Sequence, residues 1–294
     1  YLDQVNPGDI GVQTARAFGV PIYPSILRAL TLGGDDLAVD GVLIVGEHGD
    51  YPRNEKGQKL YPRRYFFEQV AGVISTAGRA IPVFSDKHLS YNWGDALWMV
   101  QRARELSMPL MAGSSLPTCW RSPFTEVPLG ARLEGAVAIG YGLVEDYGFH
   151  ALEVLQCMVE RRGHGAQGAE TGVAAVQCLE GRAVWDWLDA NPNHAALARA
   201  ACEPLAKGLA PWEQAPHWAK EPAAFIVDYI DGLKAAVLML NGYARSFAFS
   251  GAWEGRVHAC EFRLQTDNAH GHWSYLGLNV EEMFVSGCPS YPVE

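Results

Sequence analysis

The spacing of apolar residues predicts alternating strands and helices through the first 115 residues. A continuous apolar run at residues 39–45 predicts a parallel strand that is buried on both faces in the middle of a sheet. Apolar residues at helical spacing predict helices over residues 66–74 and 93–103, and strands are predicted at residues 80–84 and 109–112. Because strands and helices alternate, the pattern indicates a parallel sheet with right-handed crossovers.

Shorter elements are predicted before the first long strand. The chain opens on what looks like the end of a strand at residues 1–3, and a helix at residues 13–18 ends at Gly19. A short strand at residues 20–23 and a helix at residues 24–30 follow.

The pattern changes after a proline-rich stretch at residues 117–128, which we interpret as a linker. Beyond it the sequence predicts a strand at residues 133–140, a helix at residues 146–161 and a glycine-rich loop at residues 163–172. Four β-type runs follow, at residues 224–230, 233–240, 244–249 and 256–264. The pair Asp231-Gly232 between the first two β-type runs predicts a hairpin. The simplest assembly is a mostly antiparallel sheet with helices on one face.

The fold class predicted from these patterns is therefore α/β with two domains. Residues 1–115 are expected to form a Rossmann-like parallel-sheet domain, and residues 116–294 an α+β domain with a mostly antiparallel sheet.

Composition and charge exclude several classes of partner. The chain has 294 residues, of which 49% are hydrophobic, yet it contains no long apolar run, so no membrane span is expected. A net charge of −10 repels nucleic acid and anionic lipid surfaces, which leaves a small molecule as the expected ligand. Six dispersed cysteines without a CxxC pair, and the absence of a signal-peptide pattern, are typical of a cytoplasmic protein.

Residues 145–153 form the strongest candidate for chemistry. Asp146 and His150 are spaced i and i+4 at the start of a predicted helix, where the carboxylate can orient the imidazole and raise its basicity. Such a histidine can take a proton from a hydroxyl group. The alternative is structural, with Asp146 capping the helix and His150 half-buried in packing.

A second candidate, Asp86-Lys87-His88, follows the predicted strand at residues 80–84. Ligands of open α/β sheets bind beyond the carboxyl ends of the strands, so these side chains are expected near a ligand. Lys87 can polarise or deprotonate a substrate hydroxyl. An ordinary charged loop is the competing interpretation.

Together these segments resemble the Gfo/Idh/MocA family, which is named for glucose-fructose oxidoreductase and inositol dehydrogenase. The family's Glu-Lys-Pro motif looks like Asp86-Lys87-His88, and its fourth-strand passage looks like residues 39–45. Its Asp-x-Gly-x-His-x-x-Asp pattern is similar to Asp146, Gly148, His150 and Glu153, and its closing helix is similar to the segment with Met283 and Phe284.

The resemblance implies a chemistry and a site. It places the family's catalytic group on Lys87, Asp146 and His150, which are expected to face one cleft between the two domains beside a nicotinamide. It implies NAD(P)-dependent oxidation or reduction of a sugar, polyol or related hydroxylated small molecule. It also implies a homo-oligomer formed through the C-terminal sheet.

The sequence departs from the family at the cofactor. Residues 1–115 contain no GxGxxG, so a first strand and glycine loop that hold the pyrophosphate are expected to precede Tyr1. Asp3 has the position of an acid that binds the adenosine ribose and favours NAD over NADP. A strand-end aspartate that begins a turn is equally ordinary.

The loop after residues 39–45 departs as well, since it begins Gly46-Glu47-His48. If the preceding strand is central, Glu47 and His48 enter the cleft and contact the cofactor or substrate. His48, Asp86 and His88 instead combine imidazole and carboxylate groups that bind divalent metals. The basic residues that continue this loop, including Arg63, are expected to lie at a solvated surface.

Three functions follow from these patterns. The first is an NAD(P)-linked oxidoreductase, and the second is a metal-dependent lyase or hydrolase on the same scaffold without a dinucleotide. The third is a non-catalytic sugar-binding or scaffold protein.

Overall fold

The chain folds as two compact units in a computed structural model that describes residues 1–4, 10–46, 49–163, 171–205, 209–265, 271–291 and 293. The first unit comprises Tyr1–Ser114 and Leu276–Glu294, and the second comprises Ser115–Tyr275. The sequence analysis placed residues 276–294 with the second domain. They pack in the first unit because Leu276, Val280 and Met283 are buried against Phe84 and Met111.

The described residues of the first unit form three short parallel strands with helices between them. The elements are α1 (Gly11–Ala17), α2 (Ile26–Leu30), β1 (Val42–Ile44), α3 (Arg63–Ala77), β2 (Val83–Asp86), α4 (Trp93–Glu105) and β3 (Leu110–Gly113). The strand order is β1-β2-β3, and both pairings are parallel. The predicted Rossmann-like parallel sheet is confirmed.

The two long helices of this unit bury the faces that the sequence predicted. In α3 the buried residues include Phe66, Phe67, Val70 and Ile74, and the helix ends at Gly78 in the left-handed conformation. In α4 the Asn92 side chain accepts a hydrogen bond from the Asp95 amide and caps the first turn. Both helices pack on the same apolar core as β2.

The predicted central strand is wrong in its extent, and among the described residues it does not lie in the middle of the sheet. Only Val42–Ile44 forms β1, which pairs there with β2 alone. Leu43 is 57% exposed, which a strand covered on both faces would not allow. The strand predicted at residues 20–23 is also wrong, because these residues have no regular structure.

The second unit is built on one large sheet. Its elements are β4 (Trp120–Ser122), β5 (Gly135–Gly140), α5 (Phe149–Val159), β6 (Val173–Glu180), α6 (Arg182–Ala190), α7 (Pro192–Cys202), α8 (Ala215–Trp218), β7 (Ala223–Tyr229), β8 (Lys234–Met239), β9 (Phe247–Trp253) and β10 (Arg256–Arg263). A last helix, α9 (Gly271–Ser286), begins in this unit and continues into the first.

The seven described strands of this sheet have the order β4-β10-β9-β5-β8-β7-β6. All neighbours are antiparallel except β5 and β8, which confirms a mostly antiparallel sheet. The predicted hairpin at Asp231-Gly232 joins β7 to β8, and Gly232 has the positive φ of 89° that such a turn requires. The segment interpreted as a linker instead contributes β4, because its residues pair with β10.

Helices cover both faces of this sheet, so the prediction of helices on one face is wrong. On one face α5 buries Val154, Leu155 and Met158. On the other α7 buries Leu197 and Ala201 within a separate apolar core. No described helix in the protein is both long and apolar enough to cross a bilayer.

Candidate functional site

The carboxyl end of β2 carries the first group of candidate residues. Asp86 is the last residue of β2 and is 3% exposed, and Lys87 follows it directly. The Lys87 amide donates a hydrogen bond of 2.8 Å to the carbonyl of Gly113, the last residue of β3. The Lys87 ammonium forms an ion pair of 2.7 Å with the Asp86 carboxylate. A largely buried lysine and aspartate therefore lie together where a parallel sheet binds ligands.

The backbone of Lys87 is unusual for a lysine. Its φ is +65°, in the left-handed region that favours glycine. Such a conformation costs on the order of 1–3 kcal/mol and clusters at functional sites. The fold retains this backbone strain at the residue that the sequence singled out for chemistry.

Arg63 is a member of this group that the sequence analysis misassigned to a solvated loop surface. It begins α3, it is 1% exposed, and its Nη1 atom lies 2.7 Å from Nε2 and 3.1 Å from Nδ1 of His88. Its guanidinium carbon also lies 4.7 Å from the centre of the Tyr61 ring. The sequence gave little indication that Arg63 is buried, because the apolar helix that follows it was the one feature consistent with burial.

The surroundings of Asp86 and His88 bear on the predicted metal site. Lys87 is paired with Asp86, and the Arg63 guanidinium lies against His88. A positive charge beside Asp86 and another beside His88 oppose the binding of a divalent cation by these two residues. Among the described residues, no group of three or more His, Cys, Asp or Glu side chains is arranged to hold a metal. His48 and Glu47, which the sequence also nominated, lie outside the described residues.

Asp3 lies at a cavity of about 620 Å³ in the first unit. Both of its carboxylate oxygens accept hydrogen bonds, one from the Tyr1 hydroxyl at 2.9 Å and the other from the Tyr51 hydroxyl at 2.8 Å. Burial, and then the hydrogen bond to Asp3, raises the pKa of Tyr51, so its hydroxyl stays protonated as a donor. The apolar lining of the cavity includes Leu2, Ile26, Leu30, Phe66 and Val70.

These features fit the adenosine end of a nicotinamide dinucleotide. The cavity has the size of a ligand pocket, with apolar walls suited to a purine. A carboxylate oxygen can accept a second hydrogen bond, so Asp3 can bind a ribose hydroxyl while it retains its tyrosine partners. Residues 1–115 contain no GxGxxG loop for the pyrophosphate. Among the described residues of this unit, Asp3 is the residue that matches the ribose end of a dinucleotide.

The second group of candidate residues follows β5 in the other unit. Residues Val144–Gly148 form one wide π-helical turn, which runs directly into α5. His150 is half-buried in the first turn of α5, whereas Asp146 is exposed in the π-turn. The sequence argument assumed a regular α-helix from Asp146, but α5 begins at Phe149. The i and i+4 geometry of an α-helix therefore does not describe this pair.

Two glycines bring the start of α5 close to the end of β5. A Cβ atom at Gly140 would lie 2.7 Å from the Ala151 Cβ and 2.6 Å from the Met239 sulfur. Gly142 has a φ of +78°, and a Cβ there would lie 2.6 Å from the Tyr147 ring. A larger residue at either position would displace the turn that carries His150.

Aromatic rings surround His150, and the sequence analysis assigned none of them a role. The ring centre of His150 lies 6.0 Å from that of Tyr147 and 6.3 Å from that of Phe247. Tyr141 lies 5.1 Å from Tyr147 and 5.0 Å from Phe247. Tyr141 precedes the histidine motif and Tyr147 lies within it, so the sequence offered a signal for both. Phe247 comes from β9, and only the folded sheet brings it near His150.

Several solved structures that resemble this chain in fold are dehydrogenases or oxidoreductases. GenD2 from gentamicin A biosynthesis, in complex with NAD, is 13% identical over 97% of this chain and 78% of that one, with a TM-score of 0.55. An oxidoreductase from Agrobacterium radiobacter, in complex with NAD+, L-tartaric acid and magnesium, is 13% identical over 94% and 78%, with a TM-score of 0.54. UDP-N-acetylglucosamine 3-dehydrogenase GnnA from Acidithiobacillus ferrooxidans is 12% identical over 96% and 78%, with a TM-score of 0.51.

The chain shares its fold with these enzymes. No protein-family model matches the sequence, and no curated protein matches it. At 12–13% identity the likeness establishes the fold alone. Activity has to be argued from the residues of the site.

Proposed function

We propose that this protein is an NAD(P)-dependent oxidoreductase of the Gfo/Idh/MocA type that acts on a sugar, a polyol or a related hydroxylated small molecule. The observation that carries the proposal is the position of His150, half-buried among aromatic rings in the first turn of α5, in a chain that shares its fold with dehydrogenases. A histidine in such a setting is suited to exchange a proton with a substrate hydroxyl.

Three residues share the chemistry in this proposal. His150 takes the proton of the reacting hydroxyl during oxidation and returns it during reduction. The Lys87 ammonium, which Asp86 holds by an ion pair, polarises the same substrate oxygen. Asp146, in the turn that leads into α5, orients the imidazole of His150. When bound, a nicotinamide dinucleotide supplies the hydride acceptor or donor.

The cofactor part of the proposal depends on Asp3. Its carboxylate binds the ribose hydroxyls and repels a 2′-phosphate, so NAD is preferred to NADP. Glu47 and His48 remain proposed contacts of the cofactor or substrate. We expect Asp3→Asn to weaken NADH binding by about tenfold. Tyr51→Phe removes the hydroxyl that donates to Asp3 but keeps the carboxylate, so the two variants distinguish the contribution of the carboxylate from that of its hydroxyl partner.

The direct test is a titration of the protein with NADH and NADPH, followed by fluorescence, beside elemental analysis of the same preparation. We expect micromolar NADH binding, weaker NADPH binding and no stoichiometric metal. Oxidation of a panel of sugars and polyols is then followed through NADH absorbance.

Two results would favour the other hypotheses. Stoichiometric metal, no dinucleotide binding and an activity that a chelator abolishes would support a metal-dependent lyase or hydrolase with His48, Asp86 and His88 as ligands. Sugar binding without turnover under any condition would support a sensing or scaffold role.

A further inference from the structure

The aromatic residues beside His150 have an exposed side. Phe247 is 1% exposed and forms the floor of the cluster, with Tyr147 stacked over it at 6.2 Å and an interplanar angle of 23°. Tyr147 is 37% exposed, and Tyr141 is partly buried between the other two rings. The cluster therefore presents an aromatic surface to solvent next to the imidazole of His150.

The two tyrosines also offer hydroxyl groups. Within the described residues, neither the Tyr141 nor the Tyr147 hydroxyl has a protein hydrogen-bond partner, although Tyr141 lies in a largely apolar setting. Burial raises the pKa of Tyr141, and the neighbouring Tyr147 adds to the effect, so this hydroxyl remains a neutral donor. The Tyr141 hydroxyl is not sealed from solvent, so a ligand can replace water as its hydrogen-bond partner.

An aromatic surface edged with hydroxyl groups suits one kind of ligand. A cyclic sugar has a face of C–H groups that packs on aromatic rings and a rim of hydroxyls that exchange hydrogen bonds. An open-chain polyol has the hydroxyls but no flat apolar face. The nicotinamide ring has a flat face but a single amide in place of the hydroxyl rim.

We propose that Tyr141 and Tyr147 form a binding platform for one face of a cyclic sugar and place a ring hydroxyl at His150. This inference rests on the proposed function, because it names the substrate class of the same site. In this proposal Tyr147 determines the preference for cyclic over open-chain substrates. It also explains why Gly142 is needed, since only glycine leaves room for the Tyr147 ring.

Binding of methyl pyranosides tests the platform. Saturation-transfer NMR and calorimetry on the full chain would use the gluco, galacto, manno and N-acetylglucosamine methyl pyranosides, with sorbitol as the open-chain probe. We expect at least one pyranoside to bind with saturation strongest on the C–H protons of one ring face. Tyr147→Ala should weaken that binding roughly 3- to 10-fold, the usual range for an aromatic contact.

Tyr147→Phe keeps the ring and removes only the hydroxyl, so it should retain most of the affinity. It also provides a second test if the alanine variant does not fold. Phe124→Ala is the matched control, because Phe124 is a 78% exposed ring of the same unit outside the cluster. Failure of every pyranoside to bind, or unchanged binding by Tyr147→Ala, would overturn the platform.

The outcomes separate this inference from the proposed function. Tyr147-dependent pyranoside binding without NAD(P)-linked turnover would refute the oxidoreductase and leave the platform standing. Turnover of an alcohol whose KM is the same in the wild type and Tyr147→Ala would refute the platform and leave the oxidoreductase standing.

Discussion

The ammonium of Lys87 lies 2.7 Å from the carboxylate of Asp86, its neighbour in the chain. Side chains of successive residues in a regular strand point to opposite faces, which would separate the two groups. The left-handed backbone at Lys87 breaks this alternation where β2 ends. A strained backbone angle thus accompanies the pairing of the candidate catalytic lysine with its counter-ion.

The cost of this strain can be measured with two variants. Lys87→Gly and Lys87→Ala both remove the ammonium, but only glycine adopts a φ of +65° without strain. We expect Lys87→Gly to be more stable than Lys87→Ala by about 1 kcal/mol in urea unfolding, while both lose activity. Equal stabilities would show that the left-handed angle carries no strain.

His150 is predicted to act chemically rather than structurally. His150→Ala should lower kcat by about two to four orders of magnitude with the circular dichroism spectrum unchanged. If Lys87 acts on the same substrate, Lys87→Ala combined with His150→Ala should cost much less than the product of the single effects. Activity lost only in proportion to unfolded protein would instead support a structural role.

An ion pair between the buried Arg162 and the partly exposed carboxylate of Asp231 makes the stability of the second unit depend on pH. The Arg162 guanidinium donates hydrogen bonds of 2.7 and 3.0 Å to the two carboxylate oxygens of Asp231. The hydrogen bond from Arg162 lowers the pKa of Asp231 below its ordinary value of 3.8. Because the pKa is lower in the folded state, the pair stabilises the fold above about pH 4 and loses this contribution as the pH falls through the folded pKa.

We therefore expect Asp231→Asn to lower stability by about 2 kcal/mol at pH 7, since it leaves a buried guanidinium without its counter-ion. The difference from the wild type should shrink between pH 4 and pH 2 in thermal melts. Asp186→Asn is the control, because Asp186 pairs with Arg182 at a site where both side chains are more than half exposed. A deficit that persists unchanged at pH 2 would contradict the linkage.

The proposed homo-oligomer has a specific candidate surface in β6. This strand pairs with β7 on one side, and seven of its eight residues are exposed on the described surface, including Val176 at 60%. Its charged residue is Glu180, at one end, so antiparallel pairing of two copies keeps the like charges apart. Val176→Lys should reduce self-association in analytical ultracentrifugation, whereas Val257→Lys, at an exposed position of β10, serves as the control.

A substantial part of the fold could be predicted from sequence because it depends on local periodicity. The buried faces of α3 and α4, and the hairpin at Asp231-Gly232, follow from the spacing of a few neighbouring residues. Helices α6 and α7 were missed, although α6 is strongly amphipathic and buries Val184 and Leu188. Lys87 and His150 could also be identified as candidates from the sequence, because Lys87 follows a predicted strand and both residues belong to short motifs.

What the sequence determined by itself is the kind of fold and the identity of the side chains that could carry chemistry. The tertiary structure decided which residues contact one another. It buried Arg63 against His88 and brought Phe247 to His150. It also set the strand order, in which β1 lies at the edge of the described sheet. These relationships join residues that are distant in the chain. Strand order, burial and ring contacts arise only when separate segments pack, and no local pattern of apolar and polar positions encodes them.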